Sequence, residues 1–375
     1  MIQKADVAVV GAGIAGIAHA WEAARQGLSV VLFERDAQAR SASIRNFGMI
    51  LPIGASPGIA HERAMRSLQI WRKLALETGV WHRTDGVLIV AYHADESEVM
   101  HELAASSTGR DYGCTWLTRD LVLQKSPVVK DEGLIGGLWN TTGMLVDPRE
   151  VVSRLPLWLR DQFSVILRFG TPVKAVSFPV VETEKETWRV ERVIVCPGSD
   201  LVTLFPSALA ELPLVYCKLQ MMRTVAQPSS WHLGPIVISG LSLRHYPVFA
   251  TCSGVSVLSQ RITRDHPELD LWGIHVMVAQ NGKGELMIGD SHEYGPDPEP
   301  FDHAVIDTLI LRQLEAFLNP PSLTIQHRWH GIYVKHDSQD AVVVAPETGV
   351  RIVTGLGGMG MTSSFALAHD VFESW

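Results

Sequence analysis

DVAVVGAGIAGIAHAWEAARQGLSVVLFE, residues 6–34, decides the fold. Asp6–Val10 is a short apolar run suited to a buried parallel strand. It ends in Gly11-Ala12-Gly13-Ile14-Ala15-Gly16, which opens an apolar-faced helix through about Gln26, and Gly27 stops that helix. A second strand, Ser29 to Glu34, finishes on an acid eighteen positions beyond Gly16. A dinucleotide-binding βαβ unit needs a carboxylate there to accept the ribose hydroxyls. The glycines have separate tasks: one makes the tight turn, one lets the pyrophosphate approach the backbone, and one packs helix on strand. The helix N-terminus attracts the anion. Because NAD and FAD share the adenosine diphosphate half, this unit leaves the choice between them open.

The 375 residues are 46% hydrophobic and carry a net charge of -8, which bounds the rest. The chain is long enough for two or three domains. The acidic balance argues against a nucleic-acid partner but leaves room for a local cationic pocket. Cys114, Cys196, Cys217 and Cys252 are far apart, with no metal-like spacing, and are expected to be reduced and buried. The N-terminus runs straight into a strand, without the regions of a signal peptide. Val350 to Ala368 is apolar, but Arg351 and its glycines read as strand, loop and helix. A cytoplasmic protein with no membrane span is expected.

Further along, Pro57–Thr78 carries a helical pattern and Gly86–Ala91 a strand. Asp147-Pro148 leads into a helix reaching Phe163, with Pro156 inside it and expected to kink or interrupt it. Ser164–Phe169, Pro172–Phe178 and Trp188–Cys196 read as strands, the last closed by Pro197-Gly198. Between about 215 and 295, alternating patterns including Leu241–Pro247, Gly273–Ala279 and Glu285–Gly289 predict an antiparallel sheet. A helix over Phe301–Leu318 follows a Pro-rich loop.

The C-terminal segment speaks to the cofactor. Val350–Thr354 is a strand, Gly355–Gly360 a glycine-rich turn whose amides can face a ligand, and a helix begins at Thr362. NAD does not require a second glycine-rich helix start. FAD suits one, because negative charge builds at the flavin's pyrimidine edge on reduction.

Gly11–Gly16, Glu34-Arg35, Ser43-Ile-Arg45-Asn46-Phe47-Gly48, Val195-Cys-Pro197-Gly198 and Gly355-Leu-Gly357-Gly358-Met359-Gly360-Met361-Thr362 together resemble the D-amino-acid oxidase superfamily, which includes glycine and sarcosine oxidases. The resemblance spans the chain. It implies an α/β FAD-binding Rossmann-like domain of that type, with noncovalent FAD, and a second α+β substrate domain built on a mainly antiparallel sheet. The first would comprise residues 1–80, 146–215 and 326–375, and the second 81–145 and 216–325. Those motif residues, with Val173, are the expected cofactor contacts. The implied reaction is loss of hydride from an amine's α-carbon to flavin N5, followed by imine hydrolysis.

Three positions depart from the amino-acid-oxidising members. Where their Gly-x-Arg-Pro supplies an arginine that clamps a carboxylate, this chain reads Gly331-Ile-Tyr333-Val334, with Lys335 and His336 beyond. Thr362 stands where sarcosine oxidases keep a lysine, and Met287 near the place of another that promotes reaction with oxygen. IRNFGM, CKLQMMR, IGDSHEYG and RWHGIYVKHD are more similar to a subgroup found with phosphonate-degradation genes. That similarity implies oxidation of 2-aminoethylphosphonate or its N-methyl form to phosphonoacetaldehyde.

The candidate substrate contacts are Arg45, Tyr333, Lys335, His330, His336, Arg244 and Tyr246, the last two placed i and i+2 on a predicted strand; Arg223 is weaker. No catalytic base and no metal site are assigned. The expected partners are a small anionic amine and O2 or another electron acceptor, and the oligomeric state stays open. Rivals are a glycine- or sarcosine-type oxidase, a flavin hydroxylase suggested by Gly289-Asp290, and a noncatalytic NAD-binding regulator.

Overall fold

A computed structural model describes residues 2–375 and places them around two large sheets. In the first, eight-stranded sheet, Ile2–Val10 lies parallel between Val30–Phe33 and Thr187–Val195. Val350–Thr354 adds in parallel beyond Thr187–Val195, and Ile166–Arg168 beyond Val30–Phe33. These strands are apolar on both faces because helices cover them. The register pairs Val10 with both Phe33 and Val195, and Val195 with Ile352. Gly11, Glu34, Cys196 and Gly355 therefore emerge together at the carboxyl edge, where open α/β sheets bind ligands.

The helix Ile14–Arg25 packs on this sheet, Gly360–Glu373 packs on that helix, and Ile59–Thr78 packs in turn on Gly360–Glu373. Trp71 is fully buried, stacks edge-on against Phe365 at 4.9 Å, and donates from Nε1 to the Met361 carbonyl at 2.7 Å. That one side chain thus ties the middle helix to the C-terminal one beside the second glycine-rich turn. The Pro148–Phe163 helix is not interrupted by Pro156. Asp147 caps it by accepting from the amides of Arg149 and Glu150, and Val151, Val152, Leu155 and Leu159 bury one face. Cap and burial together offset the roughly 3 kcal/mol that an interior proline costs.

The second, nine-stranded sheet is antiparallel except where Ile236–Ser239 runs parallel to Val87–Ala91. Its long central strand, Leu214–Ala226, pairs with Glu285–Gly289 and Glu293–Gly295 on one side and Ile325–His336 on the other. The strand carrying Tyr333 and Lys335 thus belongs to this sheet, although the sequence reading grouped residues from 326 onward with the cofactor segments.

The expected strand over Leu241–Pro247 is not formed. Two 3₁₀ turns, Gly240–Arg244 and Pro247–Thr251, occupy that stretch. Leu241, Leu243, Val248 and Phe249 are all buried, and Pro247 has no N–H to give a ladder. Residues i and i+2 of such a turn point apart, so Arg244 and Tyr246 do not share a face. The expected strand over Gly273–Ala279 joins the sheet only from Met277, in the strand Met277–Gln280. Among the described residues, no helix is long and apolar enough to cross a membrane.

Candidate active site

Two cavities meet at the carboxyl edge of the first sheet. The first runs past Gly11, Gly13, Ile14, Ala15, Gly16, Glu34, Arg35 and Ser43, and on the other side past Val173, Pro197 and Gly198. Gly11 has φ +98°, and a Cβ there would lie 2.4 Å from the Cys196 carbonyl oxygen; one on Gly16 would lie 1.7 Å from the Gly11 oxygen. Only glycine permits this turn. Glu34 is buried, and its Oε2 accepts from the Ala12 amide at 2.9 Å, which locks the acid beside the turn. Gly13 caps the first helix without a side-chain hydrogen bond, while Ser43 Oγ accepts from the Ile14 amide at 2.9 Å. Arg35 reaches outward to Asp200 at 2.7 Å.

The second cavity continues from the first, sharing Ile14, Ser43, Tyr333, Gly357 and Gly360 with it. Its floor is Gly357, Gly358, Met359, Gly360, Met361 and Thr362, and one wall is Arg45, Asn46 and Phe47. Thr362 is buried, and its Oγ1 accepts from the Leu51 amide at 3.0 Å. Asn46 shapes its loop, donating to Ala42 O at 2.9 Å and accepting from Gly48 N at 2.7 Å. Gly48 itself lies outside the cavity at φ +78°, packed against the Val146 carbonyl.

The strand Ile325–His336 supplies the facing wall. Gly331, Tyr333 and Lys335 alternate toward the cavity, as a pleated strand requires. The Tyr333 hydroxyl lies 4.0 Å from where a Cβ on Gly358 would be, and burial pushes its phenol well above the ordinary range. Lys335 Nζ sits 5.1 Å over the Tyr294 ring. Arg45 donates to the His330 carbonyl at 3.3 Å. Among the described residues, no carboxylate forms an ion pair with Lys335 or Arg45.

Other predicted contacts fall elsewhere. The His330 ring turns away to Asp302, 2.7 Å from its Oδ1, because it occupies the opposite pleat. His336 lines the cavity, but its Nδ1 accepts from the Ser338 and Gln339 amides at 3.1 and 3.2 Å and so holds the turn. Arg244 pairs with Asp270 outside the cavity. Tyr246 does line it, with its hydroxyl donating to Met277 Sδ at 2.8 Å. Arg223 pairs with Glu285 at 3.1 Å, also away from it.

The sequence reading missed a cluster on the sheet side. His245, His275 and His292 line the cavity with Asp290 and Tyr294. The rings stack at 4.3 Å between His245 and His275 and 4.9 Å between His275 and His292, with planes 20° and 18° apart. Each offers one ligand atom within 4.8 Å of the others. Parallel rings keep their in-plane lone pairs side by side, whereas a tetrahedral ion needs them to converge. Burial holds His245 down to about 3 and His292 to about 4, and pushes the Asp290 carboxyl well above its usual range. The signal available was the polar run Asp290–Tyr294 after an apolar strand; His245 and His275 lie too far off in sequence to join it.

A family model described as FAD dependent oxidoreductase matches residues 6–374. Glycine oxidase of Bacillus licheniformis is 22% identical, over 100% of this chain and 96% of its own. The bifunctional MnmC protein of Magnetococcus marinus, of tRNA 5-methylaminomethyl-2-thiouridine biosynthesis, is 26% identical over 56% of the chain, which spans 31% of that protein. The fold is similar to glycine oxidase from Geobacillus kaustophilus, with TM-score 0.78, 18% identity, and 99% and 94% of the two chains covered. L-proline dehydrogenase from P. horikoshii gives 0.76, 19%, 100% and 93%. FAD is the cofactor, and the joined cavities fit it: the buried acid and glycine turn suit its adenosine end, and the Gly357–Gly360 floor beneath Tyr333 suits its ring end. From residue 6 to residue 374, this chain belongs to the FAD dependent oxidoreductase family.

Proposed function

We propose that the chain oxidises a small aminoalkylphosphonate, 2-aminoethylphosphonate or its N-methyl form, to phosphonoacetaldehyde. The observation that carries this reading is Lys335. It is a partly buried cation without a carboxylate partner, two residues from Tyr333 on the strand facing the flavin end of the cavity. Arg45 adds a second cation to the same cavity. Burial pushes the Asp290 carboxyl well above its usual range and so disfavours its charge, and Asp337 and Asp340 stand at the exposed rim, so the inner wall favours an anion. A tetrahedral dianion can take a hydroxyl and separate point charges, while a planar carboxylate is served best by one guanidinium fork.

Bound FAD supplies the two-electron acceptor for the α-carbon's hydride. The protein's part is to hold the head group at Lys335, Tyr333 and Arg45, and to keep the nitrogen lone pair free. Loss of hydride and an N–H proton leaves an imine, which water converts to the aldehyde and the released amine. O2 or another acceptor then removes the electrons. We further propose the division into a cofactor domain and a substrate domain, with this cavity between them, and a cytoplasmic setting.

A second reading is a glycine- or sarcosine-type oxidase, favoured by the full-length match to a glycine oxidase. Product analysis separates the two. Aldehyde trapping after incubation with either aminoethylphosphonate should yield the phosphonoacetaldehyde adduct, and glycine should yield little glyoxylate. The reverse pattern would remove the phosphonate reading.

A further inference from the structure

His292, His275 and His245 form a column of rings that starts beside Tyr294 and Lys335 and ends at the Arg244–Asp270 pair. We propose that this column is the subsite for the substrate's nitrogen, and that it admits the amine only in its uncharged form. The inference rests on the reading of the substrate as a small anionic amine.

The hydrogen bonds fix what the column offers. His292 Nδ1 lies 3.3 Å from the Gly273 carbonyl, so it carries the proton and Nε2 keeps its lone pair. No protein group among the described residues meets that Nε2, and the residue lines the cavity. His275 Nδ1 lies 3.0 Å from Ser242 Oγ, and its Nε2 is 3.2 Å from Asp290 Oδ1, an oxygen that is buried without a hydrogen-bond partner. His245 Nε2 is buried without a partner. The subsite therefore presents an acceptor to an N–H.

What it lacks is negative charge. The groups facing the column are Ser242, Arg244, Tyr246, Asp270, Asp290, Tyr294 and Lys335. Asp270 and Arg244 neutralise one another, Asp270 also accepting from Thr263, and burial pushes the Asp290 carboxyl well above its usual range, so Lys335 leaves the potential positive. An ammonium ion here would lose its hydration with no anionic partner, whereas a free amine donates one N–H to His292 Nε2 and keeps its lone pair. In the step inferred, R–NH3+ becomes R–NH2 and a proton passes to the buffer. No electrons move. His292 is thus a positioning residue that selects the reactive protonation state.

Calorimetry tests this on the FAD-loaded protein at about pH 9.5, below the ordinary amine range but above the second ionisation of an alkylphosphonate, in two buffers of different ionisation heat. The probe is 2-amino-2-methylpropylphosphonate, which has no hydrogen on the carbon bearing nitrogen and is not oxidised; neopentylphosphonate is the nitrogen-free control. The amine probe should release about one proton more than the control. His292→Gln, which keeps an uncharged acceptor, should also release about one. His292→Glu, which supplies an anion for an ammonium, should release nearly none. Binding of the amine probe to the unmodified protein without proton release would overturn the inference, as would full release from His292→Glu. The carboxylate counterpart 2-aminoisobutyrate separates the two levels. If it alone binds and releases a proton, the phosphonate reading falls and the subsite stands; if no amine probe binds, the subsite falls as well.

Discussion

Tyr333 and Lys335 stand two residues apart on one strand and turn into the same cavity, the tyrosine hydroxyl toward Gly358 and the lysine over the Tyr294 ring. Their spacing makes them one anion-holding pair. Lys335→Met should weaken neopentylphosphonate binding to the FAD-loaded protein by about tenfold or more, the scale of one charge-assisted hydrogen bond. Tyr333→Phe should cost several-fold. Perturbation of the flavin absorbance on titration reads both, and unchanged affinity in Lys335→Met would remove the lysine from the site.

Arg244 supplies the contrast, because its charge is directed at Asp270 on the far side of the histidine column. Arg244→Met should lower stability to denaturant by roughly 1–3 kcal/mol, since it leaves a partly buried carboxylate without its partner. The affinity for neopentylphosphonate should stay within about twofold. A large loss of affinity at wild-type stability would place Arg244 in the site after all.

Gly16 tests the cofactor turn. A methyl group there would lie 1.7 Å from the Gly11 carbonyl oxygen, so either the turn or the helix must move. Gly16→Ala should purify with little bound flavin, while Glu34→Gln should fold normally and lose FAD affinity by about tenfold or more, through loss of the charged acceptor. The flavin-to-protein absorbance ratio after dialysis measures each.

His19 gives a pH signature independent of any ligand. It is fully buried on the first helix, and burial holds it down to about 4 although its Nδ1 lies 2.7 Å from the Ala15 carbonyl. Between that value and the ordinary 6.5 the unfolded chain binds a proton that the folded chain refuses. The contribution is therefore complete above the ordinary value and is lost as pH falls toward about 4, on the order of 3 kcal/mol in all. Denaturant melts of the wild type and His19→Gln across this window should show a shallower acid loss in the variant.

The βαβ unit and the C-terminal glycine turn were legible because they depend on local order: strand, tight turn, helix and acid follow one another in the chain. The strand carrying Tyr333 and Lys335 was legible from its alternation. Alternation alone did not predict what the opposite pleat would meet, so His330 was grouped with residues from which it turns away toward Asp302. Leu241–Pro247 misled because its alternating leucines are buried by turns instead of a ladder. The histidine column was hidden for a different reason. Its members come from a 3₁₀ turn and two neighbouring segments that only the sheet's pairing brings within stacking distance.

The central claim is that the amine this cavity oxidises carries a phosphonate. Anaerobic titration of the purified yellow protein tests it most directly, with 2-aminoethylphosphonate, its N-methyl form, glycine and sarcosine added in turn while the flavin band is followed. The account predicts bleaching by an aminoethylphosphonate at concentrations where glycine and sarcosine leave the band unchanged. Bleaching by glycine or sarcosine, with neither phosphonate effective, would contradict it.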